Sequence, residues 1–435
     1  MASMSHNGQK RLLNNIVSPY GLAIISYAFF LSACLIPPST YSHYMGEPDL
    51  MFLDPATMLF YTLCVMAFFA GALLVDWLSS SAPLVERKFT TTISPTAFLL
   101  APLLAGIALT AISAFKLIAN NPNIILWLAT QQGGNIKGAE GIEIDSTFTL
   151  APLMLTASIW LVFWRSHDLD LRGWRRWTVN LALFFGVIFV TVAATLALSR
   201  NMVMLVVCGL AILYLLRKAK KKHLSLTFVL GVGTLIAACV ALLFFAFAFL
   251  RGSESVDDQF SLLFGYTVAS YNRLAAIVNG TLRYPYGGRG VYLSGFISFS
   301  HLFNQFVPVA KAMNWPEFLD VWGAEFGAID RAGLAGGGIW SGAFGYIYSD
   351  LGWFSIPFVF GYGMLYGVVW NWMKRGRVFG VVLYPAIGFC ALFWMGTNFL
   401  FDSWMVYLAV DALILALYEF VFVRYSQAHT LARSG

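Results

Sequence analysis

Ten stretches of this chain stay apolar over about the length a helix needs to cross a bilayer, roughly 20 residues. They run near 19–37, 55–76, 95–118, 148–164, 178–199, 202–216, 225–250, 354–373, 379–400 and 404–423. In hydrocarbon, each backbone N–H and C=O must find its partner inside the protein, so runs of this kind predict helices. A membrane β-barrel would instead alternate apolar and polar residues singly. Only 11% of the 435 residues are charged and 59% are hydrophobic, whereas a soluble domain carries about 25% charge. That composition excludes a cytosolic globular enzyme, a disordered chain and a nucleic-acid-binding domain, despite a net charge of +6. The expected fold class is an all-α polytopic membrane protein of ten transmembrane helices.

The basic residues give an orientation. Most lie in the N-terminal tail (Lys10, Arg11) and in alternate loops: Arg87 and Lys88; Arg165, Arg172, Arg175 and Arg176; Arg217, Lys218 and Lys220 to Lys222; Lys374, Arg375 and Arg377; Arg424 and Arg433. Lys and Arg accumulate in cytoplasmic loops, so both termini are expected in the cytoplasm. The first run is too long for a removed signal peptide and lacks a small-residue cleavage site; it reads as a signal-anchor. The cysteines Cys34, Cys64, Cys208, Cys239 and Cys390 all fall inside apolar runs. They show neither a disulfide framework nor zinc spacing, and read as small packing residues.

Loop lengths divide the chain into three parts. Residues 1–250 hold seven helices joined by short loops, 251–353 form a large external region, and 354–435 hold three further helices. The cytoplasmic loops have no room for a nucleotide-binding domain, and no GxxxxGK[ST] or GxGxxG follows a strand-like run. The external region mixes amphipathic stretches (260–280 and 296–312) with the glycine-rich turns Gly287-Gly288-Arg289-Gly290 and Ala335-Gly336-Gly337-Gly338. A structureless loop of that length is uncommon, so short helices on the membrane surface are expected there. Any catalytic site belongs on that face.

That face carries Arg200, Arg251, Arg273, Arg283, Arg289 and Arg331, with Lys116, Lys137 and Lys311. Arginine at the outer boundary runs against the orientation bias and needs a reason. Guanidinium is always charged and grips phosphate in a bidentate fork. The competing role is pairing with Glu254, Asp257, Glu325 or Asp330. Arg200 stands apart: it sits in Ser199-Arg200-Asn201, a turn between two long apolar runs with no acidic neighbour in sequence. Charge at membrane depth usually has a function.

At this turn the sequence resembles a known family. Leu196-Ala197-Leu198-Ser199-Arg200, followed by an apolar helix and a basic cluster, looks like the opening of the O-antigen ligase/polymerase superfamily module. Arg273-Leu274, then Tyr284-Pro285-Tyr286-Gly287-Gly288 and Gly290, is similar to its arginine, helix, proline and paired-glycine stretch. Phe344 to Trp353, containing Asp350-Leu351-Gly352 and leading to Gly361, Gly363 and Gly367, resembles its acidic-x-Gly entry to a late span. The resemblance covers residues 178–373. It implies a Wzy-type polymerase of bacterial surface or exopolysaccharide, GT-C-like in architecture and resident in the inner membrane, with the active site periplasmic. Ligases of the superfamily place a histidine near the start of the last motif, where this chain has Ser341; this favours a polymerase and leaves the general base open.

The chemistry so implied is metal-independent glycosyl transfer without a cofactor. Donor and acceptor are oligosaccharide repeat units on undecaprenyl pyrophosphate, and the acceptor hydroxyl displaces the lipid pyrophosphate. Membrane lipid, a chain-length regulator and a flippase are the implied partners; nucleic acid is not. The protein must stabilise charge growing on the pyrophosphate and supply a base. Arg200 and Arg273 are the expected pyrophosphate ligands, with Arg251, Arg289 and Arg331 in support. The base candidates are His301, Asp350, Glu325 and Asp330. Trp315, Trp322 and Trp340 suit sugar stacking but equally an interfacial aromatic belt. Two other classes compete. A metal-dependent polyprenyl-phosphate-sugar glycosyltransferase would use Asp49 and Asp54, or Asp257 and Asp258. A flippase or transporter would use Asp411, in the middle of the last apolar run.

Overall fold

The computed structural model describes residues 16–79, 87–132, 146–169, 171–221, 225–250, 256–293, 308–336, 338 and 340–427. Among the described residues, seven helical runs are long and apolar enough to cross a membrane: Pro55–Ser79, Pro95–Asn120, Gly173–Leu196, Arg200–Ala219, Thr227–Leu250, Gly342–Lys374 and Ser403–Phe422. The chain is an all-α multi-pass membrane protein. The remaining apolar runs are helical too, as Pro19–Cys34, Ser146–Asp168 and Val378–Leu392. Pro19–Cys34 turns through 94° into Pro38–Met45, and the two together make an eighth candidate span, against ten expected. Pro37 and Pro38 account for the break, since each removes a backbone donor and the second bars helical geometry at the first.

Several helices begin on one local signature, a capping side chain followed by proline at the first helical position. The Ser18 hydroxyl accepts from Gly21 N at 3.3 Å ahead of Pro19, and the Ser94 hydroxyl accepts from Ala97 N at 3.2 Å ahead of Pro95. The Asp54 carboxylate accepts from Thr57 N at 2.9 Å ahead of Pro55. The late span begins earlier than the apolar run suggests. Gly342–Leu351 is already helical, passes through a 3-10 turn at Gly352–Phe354 and continues as Ser355–Lys374.

Small residues let the helices touch at their backbones. A Cβ at Gly71 would stand 2.0 Å from the Phe360 carbonyl oxygen, and one at Gly363 would stand 2.0 Å from that of Phe68. Pro55–Ser79 and Ser355–Lys374 are therefore locked face to face at the centre of the bundle, and neither site admits alanine.

The two ends of the bundle are built differently. At one end, Arg87–Thr91 pairs antiparallel with Val423–Gln427, a two-stranded ribbon that the all-α reading lacks. Beside it, Arg165 reaches Glu419 at 2.5 Å, Asp168 at 3.4 Å and the Gly376 carbonyl at 2.9 Å, while Arg217 reaches Asp168 at 3.2 Å. The other end carries the short helices Val256–Tyr266, Val268–Val278 and Phe318–Arg331. These satisfy the expectation that the long loop region folds into short helices; of its second amphipathic stretch, residues 296–307 lie outside the described residues.

Candidate functional site

Arg200 is placed by a turn that the backbone adopts under strain. Gly173–Leu196 ends with Ser199 N donating to Ala194 O at 2.8 Å and Leu198 N to Thr195 O at 3.0 Å. This puts Leu198 at φ 46°, left-handed, with its side chain fully buried. A branched residue there costs on the order of 1–3 kcal/mol, and such strain gathers where a following group must be aimed. Arg200 opens the next helix, whose first turn carries no acidic residue. Its side chain is 5% exposed, and its guanidinium carbon lies 4.0 Å from the centroid of Phe244 and 3.8 Å from that of Tyr266. Tyr266 is braced in turn by Trp340, edge-on at 4.6 Å. Two ring faces around a desolvated guanidinium are each worth up to about 2 kcal/mol. A cation at a helix N-terminus is disfavoured by the helix dipole, whereas an anion there is favoured by both the dipole and the arginine.

Arg273 is held in another way. It is fully buried in Val268–Val278, donates to both Glu47 carboxylate oxygens at 3.0 and 3.1 Å, and also reaches Ala269 O at 2.9 Å and Ala335 O at 2.6 Å. Both terminal nitrogens thus have two acceptors each, which uses every proton they carry. Arg273 was expected to grip pyrophosphate; its two terminal nitrogens are engaged by the fold, and its Nε is buried without a partner among the described residues. Glu47, which the sequence analysis passed over, also accepts from the Tyr41 hydroxyl, Asn272 Nδ2 at 3.0 Å and Ala335 N at 2.5 Å. No local signal identifies it, because Arg273 is 226 positions away.

Glu325 is the candidate base that the fold treats most unusually. On Phe318–Arg331 it is 5% exposed, while Asp320, Asp330 and Arg331 on the same helix face outward. It shares its burial with three tyrosines whose rings form a triangle: Tyr284–Tyr292 at 5.4 Å, Tyr284–Tyr346 at 5.7 Å and Tyr292–Tyr346 at 5.8 Å. Burial pushes the Glu325 carboxyl up to about 8. Burial first, and the Glu325 charge second, raise the Tyr284 and Tyr292 hydroxyls in turn. Ser341, where a ligase would carry histidine, is fully buried at the start of Gly342–Leu351, next to the Tyr284 hydroxyl.

The other candidates separate. Asp350 accepts from Gly290 N at 3.1 Å, Tyr292 N at 2.8 Å and Leu293 N at 2.9 Å. It is the post around which the glycine-rich loop is wound. Asp330 is exposed, and its carboxylate lies over Gly336, where a Cβ would approach it to 2.4 Å. Arg289 and Arg331 are exposed, Arg289 standing 5.8 Å from the Tyr286 ring, so the proposed arginine cluster is not brought together in one buried hollow. His301 and Arg251 lie outside the described residues, as do the side chains of Asp257 and Asp258. Asp49 caps a turn through Met51 N and Phe52 N, and Asp54 caps Pro55–Ser79. Trp340 packs on Tyr266 and Phe399, while Trp322 remains 38% exposed.

Comparison of the chain with family models, with curated proteins and with solved structures returns no match.

Proposed function

We propose that the protein is a Wzy-type polymerase that joins undecaprenyl-pyrophosphate-linked repeat units, on the face of the membrane where Arg200 lies and by a GT-C-like membrane scaffold. The observation that carries this reading is Arg200, a buried guanidinium clasped between Phe244 and Tyr266 at a helix N-terminus. Ring stacking holds the guanidinium by its two faces, and its N–H groups lie in the plane between the rings. Such groups beside a helix start suit the diphosphate of a lipid-linked sugar.

In the step proposed, the acceptor hydroxyl oxygen bonds to the anomeric carbon and the bond from that carbon to the diphosphate oxygen breaks. The electron pair leaves with the lipid diphosphate, where Arg200 stabilises it. The hydroxyl proton passes to the Glu325 carboxylate. With its carboxyl at about 8, Glu325 is largely protonated at neutral pH, so the rate should climb with pH until it is ionised. The sugar–diphosphate bond is already activated, so no nucleotide is required.

In vitro polymerisation of a defined lipid-linked repeat tests the reading, with and without EDTA. The expected outcome is a ladder of products that survives chelation and vanishes in Arg200→Ala while the protein stays folded. A full ladder from Arg200→Ala removes Arg200 from the reaction, and loss of the ladder on chelation favours the metal-dependent class. Asp411 supports a second reading. It is 1% exposed within Ser403–Phe422, and its Oδ2 has no hydrogen-bond partner among the described residues. Intramembrane carboxylates mark ion and proton paths. Liposomes in which the protein moves lipid-linked sugar without lengthening it would favour that transporter.

A further inference from the structure

The buried pair Glu47–Arg273 takes hold of a single residue from both sides. Ala335 N donates to Glu47 Oε2 at 2.5 Å, and Ala335 O accepts from Arg273 at 2.6 Å. The early loop around Glu47 is itself fixed to the same helix. Leu50 N donates to Asn272 Oδ1 at 2.6 Å, and Asn272 Nδ2 donates to Pro48 O at 2.9 Å and to Glu47. Three distant pieces of sequence thus meet on one carboxylate.

Ala335 stands at the head of Gly336-Gly337-Gly338. Glycine loses more backbone freedom on ordering than any other residue, and this run has no side chains with which to anchor itself. The stretch it opens joins two parts of the candidate site. Upstream is Phe318–Arg331, which carries Glu325; downstream Gly338 lies against Gly265, 3.2 Å from its carbonyl for an added Cβ, and Trp340 braces Tyr266 against Arg200.

We propose that Glu47 and Arg273 are positioning residues, a clamp that fixes Ala335 and thereby sets the Glu325 helix relative to the aromatic cage of Arg200. This rests on the polymerase reading, in which those two groups act on one substrate. A buried ion pair is a poor way to gain stability, since apolar residues of similar volume do as well or better; its merit is directional hold. An apolar pair would fill the same space and leave both Ala335 backbone groups ungripped.

That difference supplies the test. Glu47→Gln and Arg273→Met each leave a buried partner unmatched and risk misfolding. The double variant Glu47→Leu/Arg273→Met removes both charges together and should fold. Three quantities are read: thermal midpoint, deuterium uptake of peptides covering Leu334 to Gly336, and kcat against KM for repeat-unit polymerisation. The clamp predicts a double variant that stays folded with a lowered midpoint, since Tyr41, Asn272 and Ala335 N lose their acceptor, and uptake at Ala335 at least tenfold faster. It also predicts a kcat reduced by about 10²-fold, as misplacement of a reacting group by about 1 Å would do, with KM changed less than threefold. Faster uptake with wild-type kcat overturns the positioning role, and unchanged uptake shows that the pair does not hold Ala335. Should the wild type itself make no polymer, the function reading falls, while the uptake result still decides whether the clamp exists.

Discussion

Arg200 and Arg273 lie at the same end of the bundle and are both buried, yet the fold secures them by opposite means. Arg273 is bound through its N–H edge to the Glu47 carboxylate and to two carbonyls. Arg200 is bound by its faces, between the rings of Phe244 and Tyr266. Edge-bound guanidinium is a structural rivet, because its terminal nitrogens are engaged by the protein. The same contrast recurs at the far end, where Arg165 is edge-bound to Glu419, Asp168 and Gly376. Two arginines that look equivalent in sequence therefore do different work.

The contrast breaks first at the rivets. Arg273→Met or Arg165→Met strands a buried carboxylate, Glu47 or Glu419, and should lower unfolding free energy by about 3–5 kcal/mol. Thermal unfolding in detergent reads this; a loss under about 1 kcal/mol would mean that the pairs are dispensable to the fold. The ring stacking that Arg200→Ala forfeits is worth about 2 kcal/mol or less per ring.

Glu325 sharpens the contrast as a third buried charge, one whose neighbours are phenols. Its carboxyl is raised from 4.5 to about 8, so between those values the folded protein holds a proton that the unfolded chain has lost. Stability then falls as pH rises, by roughly 1.4 kcal/mol per pH unit at most. Unfolding at pH 6 and pH 8 should show wild type weaker at pH 8 and Glu325→Gln much less sensitive. A pH response identical in the two proteins would place Glu325 in water. The smallest effect belongs to the exposed arginines: Arg289→Ala and Arg331→Ala should each shift stability by no more than about 0.5 kcal/mol, and a larger loss would reveal a structural contact.

How much of this was legible in the sequence follows from which interactions are local. Apolar runs became helices because a lipid environment leaves the backbone no other partner, and Ser18-Pro19, Asp54-Pro55 and Ser94-Pro95 mark helix starts by contacts within three residues. The singular turn at Ser199-Arg200-Asn201 was visible as a charge between two apolar runs. What the sequence did not signal was long-range. Arg273 and Asp350 stood out as motif residues, but their partners, Glu47 and the amides of residues 290–293, are fixed only by the tertiary fold. Glu47 went unnoticed beside Asp49 and Asp54, and the cage around Arg200 comes from two further helices. The strand pair 87–91 with 423–427 joins segments too short and too distant to signal themselves.

In the proposed reaction Arg200 meets the substrate while Arg273 serves the fold. Binding of farnesyl diphosphate, a short soluble stand-in for the lipid diphosphate, measured on detergent-purified protein, tests it most directly. Removal of a charge-assisted contact worth about 1.5–3 kcal/mol should weaken binding to Arg200→Ala by about 10- to 150-fold with its unfolding midpoint little changed. Wild-type affinity in a folded Arg200→Ala protein would contradict the account.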